Sequence, residues 1–172
     1  MTDTPEWALS DEELLAHCDW TPGRASGPGG QKRNKTHSAI DIRHRPTGIT
    51  VTANEHRMQG ENRKLALTRL RLALALALRR EIDLETLIIP DAVREQRGKG
   101  GRLAVNPENP RYLSIIALML DLLQSYRGQV APAADRLEIS TTNFINILHR
   151  EPKLWTVAQQ MRKLYNLPVL KP

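Results

Sequence analysis

Residues 24–35, RASGPGGQKRNK, hold the chain's densest concentration of chemistry. Gly27, Gly29 and Gly30 permit backbone conformations closed to other residues and let the main chain come within touching distance of a ligand. Gln31 cannot act as a general base or a nucleophile. Its side-chain amide and its backbone N–H can position water or donate to a developing oxyanion. Arg24, Lys32, Arg33 and Lys35 flank it with cations that would grip phosphates on either side. Between Gly23 and Ala39 no apolar residue is larger than Ala25 or Pro28, so the stretch is not core. The combination describes a probe delivered into an RNA-lined cavity, with the RNA supplying much of the environment. Other phosphate-loop chemistries fail on spacing. The GxxxxGK[ST] pattern is absent, and a dinucleotide fingerprint needs a strand before the loop, a long helix directly after it and an acid about twenty residues on.

Charge is distributed to match. Residues 1–20 sum to −6, and residues 21–80 hold thirteen Lys or Arg against three acids, or +10. Residues 81–111 sum to −1 and residues 112–172 to +3. A basic block around a glycine loop points to a polyanion partner. The single cysteine, Cys18, excludes an internal disulfide and a multi-cysteine zinc site. No apolar run has the length of a membrane span, and an acidic N-terminus is the opposite of a targeting peptide. A cytoplasmic protein without membrane contact is expected.

Elements that could position the loop follow from local patterns. Ser10-Asp-Glu-Glu13 has the form of a capping box and opens a short helix over residues 14–16. Ile40 and Ile42 alternate with Asp41 and Arg43, the mark of a half-buried strand. Residues 45–48, RPTG, spell a turn, and residues 49–54 a second strand, so residues 38–54 predict a hairpin. Helix formers from about Met58 to Arg80 predict a long helix with Leu67, Leu70 and Leu74 on one face. Residues 97–110 contain three glycines and two prolines, as a hinge would. Helices are expected at 114–126, 132–137, 141–149 and from about Pro152 to Tyr165. The fold class is therefore α+β. A small domain at residues 1–96 (short helix, hairpin-containing sheet, long helix) is followed by a linker at 97–110 and an all-α domain at 111–172.

Two features in the last domain and the histidines admit bland readings. Residues 130–148 fit a helix-turn-helix, with Ala134 at the crossing, Leu137 and Ile139 around the turn, and Thr141, Thr142, Asn143 and Asn146 projecting outward. They fit an ordinary three- or four-helix bundle equally, and Glu138 stands where the turn usually has glycine. His37, His44 and His56 lack metal-ligand spacing and read as RNA contacts or surface. Trp7, Trp20 and Trp155 read as packing anchors and Cys18 as a buried thiol. No metal and no cofactor are expected.

RASGPGGQ at 24–31, then Asn34, Ser38, Ala39 and Ile40, resembles the signature of the class I peptide chain release factor catalytic domain. The likeness continues through HRPTGI at 44–49 and Q-x-E-N-R at 59–63, and covers roughly residues 10–80. The resemblance implies that Gly29, Gly30 and Gln31 are a catalytic tripeptide. It would enter the ribosomal peptidyl-transferase centre and promote hydrolysis of the peptidyl-tRNA ester. In that family the glutamine backbone N–H is thought to stabilise the oxyanion, and the side chain to restrict the nucleophile to water. The side chain is often N5-methylated, so Gln31 is an implied modification site and a glutamine methyltransferase an implied partner. The other implied partners are the ribosome, through its RNA, and peptidyl-tRNA; a monomer is expected. The chain departs from the family at Lys32 and Arg33, where a small residue, His or Asn and then Val or Ile are usual. Residues 1–20 are too few for a codon-reading domain, so codon-independent rescue hydrolysis is expected, without the Lys/Arg-rich tail that stand-alone rescue factors carry. The alternatives are a non-catalytic ribosome- or RNA-binding protein of the same fold, and a nucleic-acid-binding regulator led by the C-terminal helices.

Overall fold

The computed structural model describes residues 4–23, 38–98 and 100–171. Close contacts divide the chain into two units, between Leu74 and Ala75.

The first unit opens with a 3-10 turn at Glu6–Ala8 and α1 at Asp11–Ala16. The capping box forms: the Ser10 hydroxyl accepts from Glu13 N–H at 3.3 Å, and Ser10 N–H donates to Glu13 Oε2 at 2.9 Å. Three antiparallel strands follow, β1 (Cys18–Gly23), β2 (Ala39–His44) and β3 (Thr50–Ala53), with β2 in the middle. β2 and β3 are the expected hairpin, Ile42 standing opposite Val51. Its turn closes through Gly48 N–H to His44 O and His44 N–H to Ile49 O, both 2.8 Å. Gly48 takes φ 71°, a conformation that favours glycine. Ile40, Ile42 and His44 alternate onto the buried face of β2.

β1 was not expected from its own residues, CDWTPG, which include proline and glycine and show no apolar alternation. It forms because β2 offers it a ladder. As an edge strand it pairs on one side only, which is where a proline such as Pro22 is tolerated. Against this sheet lies α2 (Gln59–Ala77), whose Ala66, Leu67, Leu70 and Leu74 are buried. The division between the units falls within α2, and the helix stops short of the expected Arg80.

In the second unit a short α3 (Asp91–Arg94) precedes α4 (Tyr112–Ser125), α5 (Val130–Arg136), α6 (Thr141–Arg150) and α7 (Pro152–Leu164). α4 supplies more of the core than any other helix of this unit, with Ile115, Ile116, Met119, Leu120, Leu122 and Leu123 almost wholly buried. Gly128, at φ 79°, donates its N–H to Leu123 O at 2.7 Å and closes the end of α4. Arg97 and Leu103, both within the stretch expected from composition to be a linker, make tertiary contacts. Arg97 bridges to Leu103, and the Asn143 amide accepts from Leu103 N–H at 2.7 Å and donates to Leu103 O at 3.2 Å. Asn143 is therefore committed to backbone rather than projecting outward.

The α5–α6 turn carries the helix-turn-helix pattern: Ala134, Leu137, Ile139, Phe144 and Ile147 are all buried. Glu138 adopts φ 55° at the position where such turns use glycine, and its carboxylate pairs with Arg97. Among the described residues no helix is long and apolar enough to cross a membrane.

Two predictions concern electrostatics. The almost fully buried Asp121 pairs with Arg79 at 3.2 Å and Arg80 at 3.3 Å. Burial pushes the Asp121 carboxyl up and the Arg79 guanidinium down, so desolvation outweighs the attraction in both. Removing the acid strands a part-buried cation, so Asp121→Ala should cost about 3 kcal/mol in urea unfolding. Arg80→Ala, at a half-exposed position, should cost less than about 1 kcal/mol. In the first unit, hydrogen bonds from Arg69 and from Asn54 N–H pull the Glu55 carboxyl from 4.5 to about 2. A depressed folded value means stabilisation present above pH 4.5 and lost as pH falls towards 2. In thermal melts over that range Glu55→Gln should flatten the pH dependence, and high salt should shrink the difference because the pair is exposed.

Candidate functional site

β1 and β2 end together. The last pair of their ladder joins Gly23 to Ala39, so the segment between them leaves and returns at neighbouring points on one end of the sheet. Arg24, Gly29, Gly30, Gln31, Lys32, Arg33 and Lys35 all lie outside the described residues. What the structure supplies is the stem from which they hang.

Two adjacent residues of α2 grip that stem. The Asn62 side chain is wholly buried. Its Nδ2 donates to Ser38 O at 2.6 Å and to His56 O at 2.8 Å, while Oδ1 accepts from His56 N–H at 2.9 Å. Ser38 is the residue through which the chain re-enters the sheet, so Asn62 ties the return strand to the start of α2. The next residue, Arg63, lays its guanidinium over the ring of Trp20 in β1, 5.1 Å from the ring centroid. Outgoing and returning strands are thus both held by the Q-x-E-N-R segment. Trp20 remains 44% exposed, so it is not the packing anchor expected of it. Neither Asn62 nor Trp20 was singled out from sequence as a functional position. The signal was the motif itself, in which an uncharged amide sits inside a run of charge.

The hairpin is braced at its other end. Arg45 donates to Cys18 O at 2.8 Å and pairs with Asp19 at 3.0 Å, joining the β2–β3 turn to the start of β1. Cys18 is buried, as expected, and burial pushes its thiol up, away from a reactive thiolate. His44 corrects the reading of it as surface: it is fully buried. Its Nε2 lies 3.0 Å from Glu6 Oε2, its Nδ1 lies 2.9 Å from Thr47 Oγ1, and His17 Nδ1 meets the same Glu6 oxygen at 2.8 Å. Burial pushes the Glu6 carboxyl up, but the hydrogen bonds from His17 and His44 outweigh it and hold the group below its ordinary range. These three side chains are the ones among the described residues that could hold a metal ion.

Cutting the Asn62 amide back would orphan the Ser38 carbonyl and both backbone polar groups of His56 in a part-buried place and leave a cavity where the buried side chain stood. Asn62→Ala should therefore lower stability by about 2–4 kcal/mol in urea unfolding. Arg63→Ala should cost about 1 kcal/mol or less and should raise the accessibility of Trp20, read by fluorescence quenching.

Residues 14–100, the region that builds this stem, match the RF-1 domain family. Over 74 residues the chain is 49% identical to an uncharacterized mitochondrial peptide chain release factor-like protein of Saccharomyces cerevisiae, covering 43% of each. Over 66 residues it is 50% identical to peptide chain release factor RF2 of Thermus thermophilus, covering 37% of this chain and 18% of that one. Over 79 residues it is 44% identical to peptide chain release factor 1 of Rickettsia prowazekii, covering 46% of this chain and 21% of that one. The match spans less than half the length of each of these proteins. With the family match spanning half of its length and continuous through the sheet, the stem and α2, the chain belongs to the RF-1 domain family of release-factor-like proteins.

Proposed function

We propose that the chain is a ribosome-dependent hydrolase that releases peptides from peptidyl-tRNA without reading a codon. The observation that carries the reading is the stem. A glycine-rich segment ending in Gln31 hangs from one paired strand end, and that end is gripped by Asn62 and Arg63 of α2. This would let a small domain present a loop to a distant cavity without losing its orientation. Membership of the RF-1 domain family and relatives named as release factors support peptide release as the chemistry.

In this reading Gly29 and Gly30 give the backbone its close approach, and the Gln31 backbone N–H donates to the oxyanion that forms as water attacks the ester carbonyl. The Gln31 side chain holds water and excludes bulkier nucleophiles. Arg24, Lys32, Arg33 and Lys35 contact ribosomal RNA phosphates. Gln31 is also the residue on which a glutamine methyltransferase would act.

Ribosomes stalled on a message without a stop codon, carrying labelled peptidyl-tRNA, provide the test. The wild-type chain should release the peptide, and Gly30→Ala should slow release by about 10²-fold or more, the scale of losing an oxyanion donor. Lys32→Ala with Arg33→Ala should weaken ribosome binding with a reduced salt slope. Release that is absent in the wild type, or unchanged in Gly30→Ala, would overturn the reading. Salt-sensitive binding without release would identify a non-catalytic ribosome-binding protein.

A further inference from the structure

Glu6, His17 and His44 come from three places: the 3-10 turn, the residue that closes α1, and the last residue of β2. One ligand atom from each lies within 4.8 Å of the other two, and Glu6 Oε2 is 2.8 Å from His17 Nδ1 and 3.0 Å from His44 Nε2. Three features go beyond a buried histidine that has found a partner. First, two imidazoles converge on one carboxylate oxygen, and no Lys or Arg pairs with Glu6 among the described residues. The Glu6 carboxylate is thus met only by imidazole nitrogens, the ligand type that a carboxylate commonly joins around a metal ion. Second, the far nitrogen of His44 is already oriented by Thr47 Oγ1 at 2.9 Å, and that hydroxyl oxygen in turn accepts from Ile49 N–H at 3.3 Å. An outer hydrogen bond of this kind aims a metal-binding histidine, and Thr47 Oγ1 is placed to accept from Nδ1 once the ring proton leaves Nε2. Third, the cluster is open on one side: His44 is sealed, but the His17 side chain is 45% and the Glu6 side chain 28% exposed.

We propose that Glu6 Oε2, His17 Nδ1 and His44 Nε2 form a zinc site, with water from the open side as the fourth ligand. Two neutral imidazoles and one carboxylate are a borderline donor set that suits zinc. Zinc bonds of about 2.0–2.2 Å in a tetrahedron place ligand atoms roughly 3.3 Å apart. Glu6 Oε2 lies 2.8 and 3.0 Å from the two nitrogens, so it need withdraw by only a few tenths of an ångström. On binding, the His44 ring carries its proton on Nδ1, where Thr47 Oγ1 accepts it, and the Nε2 lone pair goes to the metal. The site lies at the opposite end of β2 from the glycine loop, about 17 Å away at ~3.3 Å per residue. Its part is to clamp the N-terminal segment, α1 and the β2–β3 turn together, and it is independent of peptide release.

The test is zinc titration of the full-length chain against a chromophoric chelator, with Co2+ as a spectroscopic probe. The expected result is one zinc per chain and the visible absorption of tetrahedral Co2+. Glu6→Gln with His17→Ala should weaken binding by at least 10²-fold. Thr47→Val keeps every ligand and should weaken it by about 10- to 100-fold. Circular dichroism checks that the variants stay folded; His17 and Glu6 are both partly exposed. The proposal is overturned if the wild type binds zinc no more tightly than the double variant, which would reduce the cluster to a hydrogen-bonded brace.

Discussion

The Asn62 carboxamide is buried with its hydrogen-bonding groups turned to backbone: two donors to carbonyls and its oxygen to an N–H. An amide so placed cannot be exchanged for an apolar group without leaving main-chain groups unpaired. One of those carbonyls belongs to Ser38, at the foot of the returning strand. The ladder between Gly23 and Ala39 sets the separation of the two strand ends, and Asn62 sets where the returning one sits on α2. Arg63 adds a weaker, exposed contact on the outgoing side. A glycine-rich segment loses much conformational entropy when ordered, and a rigid foot fixes the points at which such a segment joins the sheet.

α2 can provide that foot because most of its length is simple. Its Leu and Ala repeat gives it high helix propensity, and Ala66, Leu67, Leu70 and Leu74 are enough to seat it on the sheet. Arg71, from the same helix, donates to Trp7 O at 2.9 Å and pairs with Asp11 at 2.7 Å, which brings the acidic N-terminal segment onto the helix. The helix thus holds the N-terminal turn along its length and the loop stem at its start.

Local rules made much of this readable from sequence. The Ser10–Glu13 capping box, the β2–β3 turn with Gly48, and α6 with its Ser140 cap depend on residues within five positions of one another. β1 was not readable, because its order comes from β2 and its own residues argue against a strand. The Glu6–His44 contact spans 38 residues and has no periodic signature. Spacing among His37, His44 and His56 could not reveal it, because the partner of His44 lies in the N-terminal 3-10 turn. Glu138 shows the reverse case. Its identity argued against the helix-turn-helix turn, yet the backbone takes the left-handed conformation there, at a cost of roughly 1 kcal/mol for a residue with a Cβ. The apolar packing on both sides of the turn, from Leu137 to Phe144, outweighs that cost.

Charge is where sequence counting misleads most. The +10 of residues 21–80 is an arithmetic sum, and the structure divides it by task. Arg45, Arg69 and Arg71 are paired with Asp19, Glu55 and Asp11, and Arg79 and Arg80 with Asp121. Arg63 is stacked on Trp20. These cations hold the fold, and their fields are largely cancelled by the acids beside them. Among the described residues of this block, Arg43, Arg57 and Lys64 are exposed without an acid partner. A polyanion responds to uncompensated charge, since each released counterion needs a cation free to neutralise a phosphate. Among the described residues of the block, uncompensated charge is therefore confined to these three, and the arithmetic sum overstates it.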